Sequence, residues 1–103
     1  MDWGKQNRIS SIIKPDTGKT VMLAVDHGYF MGPTSGLEKL DEAVNPLIPY
    51  ADTLMLTRGA LRYYIDPGVR IPITLRVSGG TSILNKEAML HEGIVCNVED
   101  AIR

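Results

Sequence analysis

One stretch restricts the fold of this chain more than any other: residues 19–33, KTVMLAVDHGYFMGP. Its apolar run Val21-Met22-Leu23-Ala24-Val25 lacks the strict alternation of a half-exposed strand and predicts a strand over 21–25 buried on both faces, as in parallel sheets. Asp26-His27-Gly28 follows at once, placing a carboxylate and an imidazole at the carboxyl end of that strand, ahead of a glycine-containing loop. Ligands and chemistry gather at such strand ends in α/β proteins.

The remaining chain repeats this grammar. Asp2 is expected to cap a helix over 3–13 with Trp3, Ile9, Ile12 and Ile13 on its apolar side, ended by the turn Pro15-Asp16-Thr17-Gly18. Gly18-Lys19-Thr20 looks like the tail of a phosphate-binding loop, but that motif needs a glycine five positions earlier, where Ile13 stands, and it follows a strand rather than preceding one. Residues 27–36 read as a loop able to wrap a small ligand. Helical spacing returns over 37–50, with Pro46 expected to break it and Asn45 to cap the second part. A second strand is predicted over 52–57, ending at Thr57-Arg58-Gly59. A short helix over 59–65 then closes on the turn Asp66-Pro67-Gly68. A third strand is predicted over 72–77, followed by the small-residue loop Ser78-Gly79-Gly80-Thr81-Ser82. Ile94-Val95-Cys96 is a short apolar piece, and Asn97 caps a last helical turn with Glu99 and Asp100 in its first positions.

Strand, loop and helix recurring every 20 to 30 residues describe a βα-repeat fold, with Asp26, Arg58 and Ser78 along one rim. Three parallel strands neither close a barrel nor cover a sheet, so the chain is expected to be the amino-terminal part of something larger. Composition narrows the function. The 103 residues are 44% apolar and 22% charged, as in an ordinary globular protein. Eleven basic and twelve acidic residues give a net charge of −1, which offers no electrostatic case for nucleic acid or an anionic membrane. No apolar run approaches the length of a membrane helix, and the single cysteine, Cys96, excludes an internal disulfide. The protein is expected to be cytoplasmic.

On residue types alone, Asp26 and His27 read equally well as a chemical pair and as a backbone-capping carboxylate beside a half-buried histidine. No metal site is expected, because Asp26, His27 and His91 are too few ligands at no recognised spacing. Arg58 and Arg76 are expected to pair with neighbouring carboxylates rather than hold a phosphate. Cys96 reads as an inert buried thiol and His91 as a surface residue.

Asp2-Trp3-Gly4, the continuous stretch 15–30, Gly32-Pro33-Thr34 and Gly36-Leu37-Glu38 together resemble the DeoC/FbaB class I aldolase family. The likeness continues through Leu56-Thr57-Arg58-Gly59, residues 75–79 and residues 99–103. It covers nearly all of this chain and the first third or so of the family's fold. The resemblance implies that residues 1–103 form about three βα units of a TIM (β/α)8 barrel, cut before the strand that carries the Schiff-base lysine. It further implies cleavage of a C–C bond in a phosphorylated ketose-like substrate without a metal or bound cofactor. Asp26 would serve in proton transfer, and His27, Gly28, Tyr29 and Phe30 would line the substrate. The nearest likeness is to thiolase-type members, for which coenzyme A is the co-substrate. Rivals are the archaeal-type fructose-bisphosphate aldolases, the aminodideoxyheptulosonate synthases and a non-catalytic remnant. No lysine here replaces the missing one: Lys19 precedes the first strand, and Lys39 and Lys86 fall on helix or loop surfaces. The chain alone is therefore expected to be inactive, and to form a homo-oligomer or to associate with the remaining barrel portion.

Overall fold

The computed structural model describes residues 1–80 and 86–103. Of the small-residue loop expected at 78–82, Thr81 and Ser82 lie outside the described residues.

Three parallel strands make the frame. β1 (Met22–Ala24), β2 (Thr53–Thr57) and β3 (Ile73–Arg76) lie side by side in chain order, with Met22 opposite Thr53, Leu54 opposite Ile73 and Thr57 opposite Arg76. Helical segments connect them. α2 (Gly28–Met31), α3 (Leu40–Val44) and a 3-10 turn (Ile48–Tyr50) run between β1 and β2, and α4 (Arg58–Tyr64) runs between β2 and β3. The parallel pairing brings the ends of all three strands to one rim, as expected from the sequence. No described helix is long and apolar enough to cross a membrane.

The core is centred on β2. Leu54 and Leu56 are fully buried and pack with Val25, Leu40, Val44 and Ile65, while Leu61, Tyr64 and Ile73 close around them half-buried. Thr53 is also fully buried. Its Oγ1 donates to the Pro72 carbonyl at 2.9 Å and shares a hydrogen bond with Thr74 Oγ1 at 2.9 Å, so the hydroxyl is satisfied across the β2–β3 pair.

β1 departs from the expectation of a strand buried on both faces. It spans only three residues, and Val21 and Met22 are 58% and 39% exposed. Residue periodicity registers that a strand has no polar side; it does not register that, among the described residues, this one pairs on a single edge, with β2. A similar limit applies to α1 (Trp3–Ile12). The Asp2 side chain caps it as predicted by accepting from the Lys5 amide at 2.8 Å, yet none of its residues is buried and Trp3 is 78% exposed.

Other boundaries shift for local reasons. The loop expected over 27–36 contains the single turn α2, and Gly32 ends that turn at φ 74°, where a side chain would be strained. The helix expected from residue 37 starts at Leu40. Asn45 closes it, donating its backbone N–H to the Asp41 carbonyl, rather than opening the next segment; the 3-10 turn instead takes Pro49 in its first positions. Ser78–Gly79, expected as loop, forms β4, which pairs antiparallel with β5 (Gly93–Ile94) in a second, two-stranded sheet. The strand separation in sequence, with α5 (Lys86–Met89) between, hides so short a pairing from pattern reading. α6 (Val98–Ile102) closes the chain, its Asn97 Oδ1 accepting from the Asp100 amide at 2.8 Å as predicted.

Candidate active site

β1 continues past its last paired residue through Val25, whose amide donates to the Met55 carbonyl at 2.9 Å, and so delivers Asp26 to the rim within the sheet's register. Asp26 is 9% exposed. Its Oδ2 accepts from Arg76 Nη1 at 2.6 Å, and Oδ1 has no partner among the described residues. Arg76 stands at the end of β3, two strands away, and the two are brought together because the strands are parallel and in register. An aspartate and an arginine this sheltered attract each other far more than a surface pair, and together they also solve the problem of holding a carboxylate in a protected place.

The guanidinium is fixed on further sides. Arg76 Nε donates to the Ser78 carbonyl at 2.8 Å and Nη2 donates to Glu92 Oε1 at 3.2 Å. Glu92 Oε2 accepts in turn from the Ser78 hydroxyl at 3.1 Å. The Tyr29 ring lies under the guanidinium carbon, 5.6 Å from it to the ring centre. Gly79 makes room for that ring: a Cβ at residue 79 would collide with it.

Two cavities flank Tyr29 at the rim. One of about 220 Å³ is lined by Val25, Asp26, Gly28, Tyr29 and residues of α3 and α4. The other, about 270 Å³, is lined by Tyr29, Thr57, Arg58, Arg76, Ser78 and Cys96 among others. The first presents a carboxylate, the second two guanidinium groups and three hydroxyls. A small polar molecule placed here would meet an acid–base group on one side of a tyrosine ring and cationic donors on the other.

Of the residues singled out from the sequence, Asp26, Gly28 and Tyr29 converge on this rim. His27 adjoins them in the chain, at the residue leading into α2, but lines neither cavity; its Nδ1 is buried without a hydrogen-bond partner among the described residues. Phe30 lies within α2 by its backbone, and its side chain is outside the described set. Arg76 pairs with carboxylates, as expected, and so does Arg58, which with Arg62 engages Asp100 of α6. Glu92 carried no sequence signal: only the β4–β5 pairing turns it back toward Arg76. No lysine lines either cavity. Among the described residues no group of three or more candidate ligands is arranged to hold a metal. Cys96 is buried and free, and His91 is exposed.

Comparison with known proteins gives two kinds of likeness. In sequence, the whole chain is 52% identical to an uncharacterized aldolase of Pasteurella multocida (strain Pm70). It is 50% identical to the 3-hydroxy-5-phosphonooxypentane-2,4-dione thiolases of Escherichia coli (strain K12) and Photorhabdus laumondii. It spans 35% of the length of each of these curated relatives. In structure, it matches two solved proteins with a TM-score of 0.63 at 23% identity, covering 93% of this chain and 39% of theirs: a Schiff-base-forming fructose-1,6-bisphosphate aldolase, and an archaeal fructose-1,6-bisphosphate aldolase with its catalytic lysine bound to a carbinolamine intermediate. That second likeness is one of fold: the three parallel strands match part of the fold of these two solved proteins. No protein-family model matches the sequence.

Proposed function

We propose that this chain is the amino-terminal portion of a Schiff-base-forming thiolase that cleaves a C–C bond in a phosphorylated ketose-like substrate and passes an acetyl group to coenzyme A. The observation that carries the reading is the 50% identity, sustained over all 103 residues, to proteins named for that thiolase activity. In this reading the substrate is 3-hydroxy-5-phosphonooxypentane-2,4-dione, and the activity belongs to autoinducer-2 catabolism. The amine that attacks the ketone is supplied by the part of the barrel outside this chain, consistent with two rim cavities that no lysine lines.

The residues of this chain bind, orient and move a proton. Asp26, with one oxygen anchored and the other without a partner among the described residues, transfers a proton at the carbon that loses its acyl partner. Gly28 and Tyr29 form the wall beside it, and His27 and Phe30 adjoin them in the chain as the rest of the proposed substrate-binding stretch. Neither a metal nor a resident cofactor takes part; coenzyme A enters as a co-substrate. Alone, the chain is inactive, and it works in association with the remaining barrel or with further copies. Phosphorylated substrate, coenzyme A and an unpaired cysteine all agree with a cytoplasmic location.

The test is a chimera in which residues 1–103 replace the matching third of the Escherichia coli thiolase. Coenzyme A-dependent turnover of the phosphorylated dione is the expected result, with borohydride trapping a substrate adduct on the chimera and none on the 103-residue chain. A folded chimera that instead cleaves fructose bisphosphate without coenzyme A, or that turns over neither substrate, overturns the proposal.

A further inference from the structure

Arg76 does more at the rim than neutralise a charge. An aspartate that only needed a counter-ion could take one from a flexible surface lysine. Here the holds on the guanidinium include Asp26 Oδ2 at 2.6 Å, the Ser78 carbonyl at 2.8 Å, Glu92 Oε1 at 3.2 Å, and the Tyr29 ring face at 5.6 Å. Glu92 is itself tied to the Ser78 hydroxyl at 3.1 Å, so the side chain that holds Arg76 is also held. A planar fork with fixed donor directions transmits that order to whatever it grips, whereas an ammonium on a four-carbon stem would not.

We propose that Arg76 is the positioning residue for Asp26, and that the Glu92–Ser78 pair sets the plane of its guanidinium. The inference rests on the functional reading above. Oδ2 is locked to Nη1, leaving Oδ1, without a partner among the described residues, as the oxygen that meets the substrate in the 220 Å³ cavity that Asp26 lines. Without Arg76 the carboxylate turns about its Cα–Cβ bond and spends most of its time misaligned. Proton transfer depends steeply on such alignment, and misplacement by about 1 Å can cost on the order of a hundredfold. Substrate binding, which draws on the rest of the barrel, is largely spared.

Two measurements test this. In the 103-residue chain, nitrogen-15 NMR reads the Arg76 guanidinium: its four Nη protons are resolved when rotation is blocked, and collapse to a common signal when Asp26→Asn or Glu92→Gln removes a grip. Freely averaged Arg76 signals in the unsubstituted chain overturn the inference. In the thiolase chimera, Arg76→Gln lowers kcat at least tenfold with KM within threefold, Arg76→Lys recovers only part of the loss, and Arg76→Gln adds little to Asp26→Asn. An active chimera in which Arg76→Gln or Arg76→Lys keeps the parental kcat overturns the inference and leaves the thiolase reading standing. A folded but inactive parental chimera overturns both.

Discussion

Gly79 shows how far one missing methyl can reach. It sits in β4, buried, with the Tyr29 ring filling the space a side chain would need, and that ring lies against Arg76. Gly79→Ala should push Tyr29 off the guanidinium and cost about 1–3 kcal/mol through overpacking. Tyrosine ring shifts in NMR and a urea midpoint check it; an unchanged Tyr29 signal would contradict the packing described. Thr53 offers a milder test. Replacing it with valine removes a buried hydroxyl that two partners use, but the Pro72 carbonyl keeps the Leu54 amide at 3.0 Å. Only the Thr74 hydroxyl loses its hydrogen bond across the strand pair, so Thr53→Val should cost about 1 kcal/mol in urea denaturation rather than the larger penalty of an orphaned group.

Among the elements, β2 is the one whose loss the fold would not survive. Leu54→Ala or Leu56→Ala should each destabilise by about 2–5 kcal/mol, which in a domain this small is enough to abolish the cooperative transition by circular dichroism. The three strands and α4 were legible in the sequence because each is a short apolar run bounded by turn residues: Pro15 to Gly18 before the first, Asp66-Pro67-Gly68 before the third. Helix caps were legible for the same local reason, Asp2 and Asn97 being chemically suited to the amides they accept. The exposure of β1 and α1 was not, because it depends on what packs against them, and periodicity records only which side is apolar. Asp26 and Tyr29, singled out from their place after a strand, both come to the rim. Glu92 was missed since it reaches Arg76 through a two-residue antiparallel pairing between segments fourteen residues apart, which leaves no alternation to read. His27 stands differently: it adjoins Asp26 in the chain, and its side chain lines neither cavity.

The whole molecule leaves a large amount of apolar surface uncovered. Trp3, Tyr50, Tyr63, Ile94, Val98 and Ile102 are all exposed, and the outer edges of β1 and β3 pair with no other strand among the described residues. Exposed apolar area and open strand edges both favour association. The isolated chain should therefore sediment as concentration-dependent oligomers; a single monomeric species across a hundredfold range of concentration would count against this. The one central strand has a further consequence. Because β2 is, among the described residues, the strand bonded on both sides, each of its amides is covered by β1 or by β3, while the outer rows of β1 and β3 stand open. Deuterium should therefore enter from the flanks inward, reaching Leu54 and Leu56 last, and the slowest-labelling protons would trace the line along which the molecule holds out longest against unfolding.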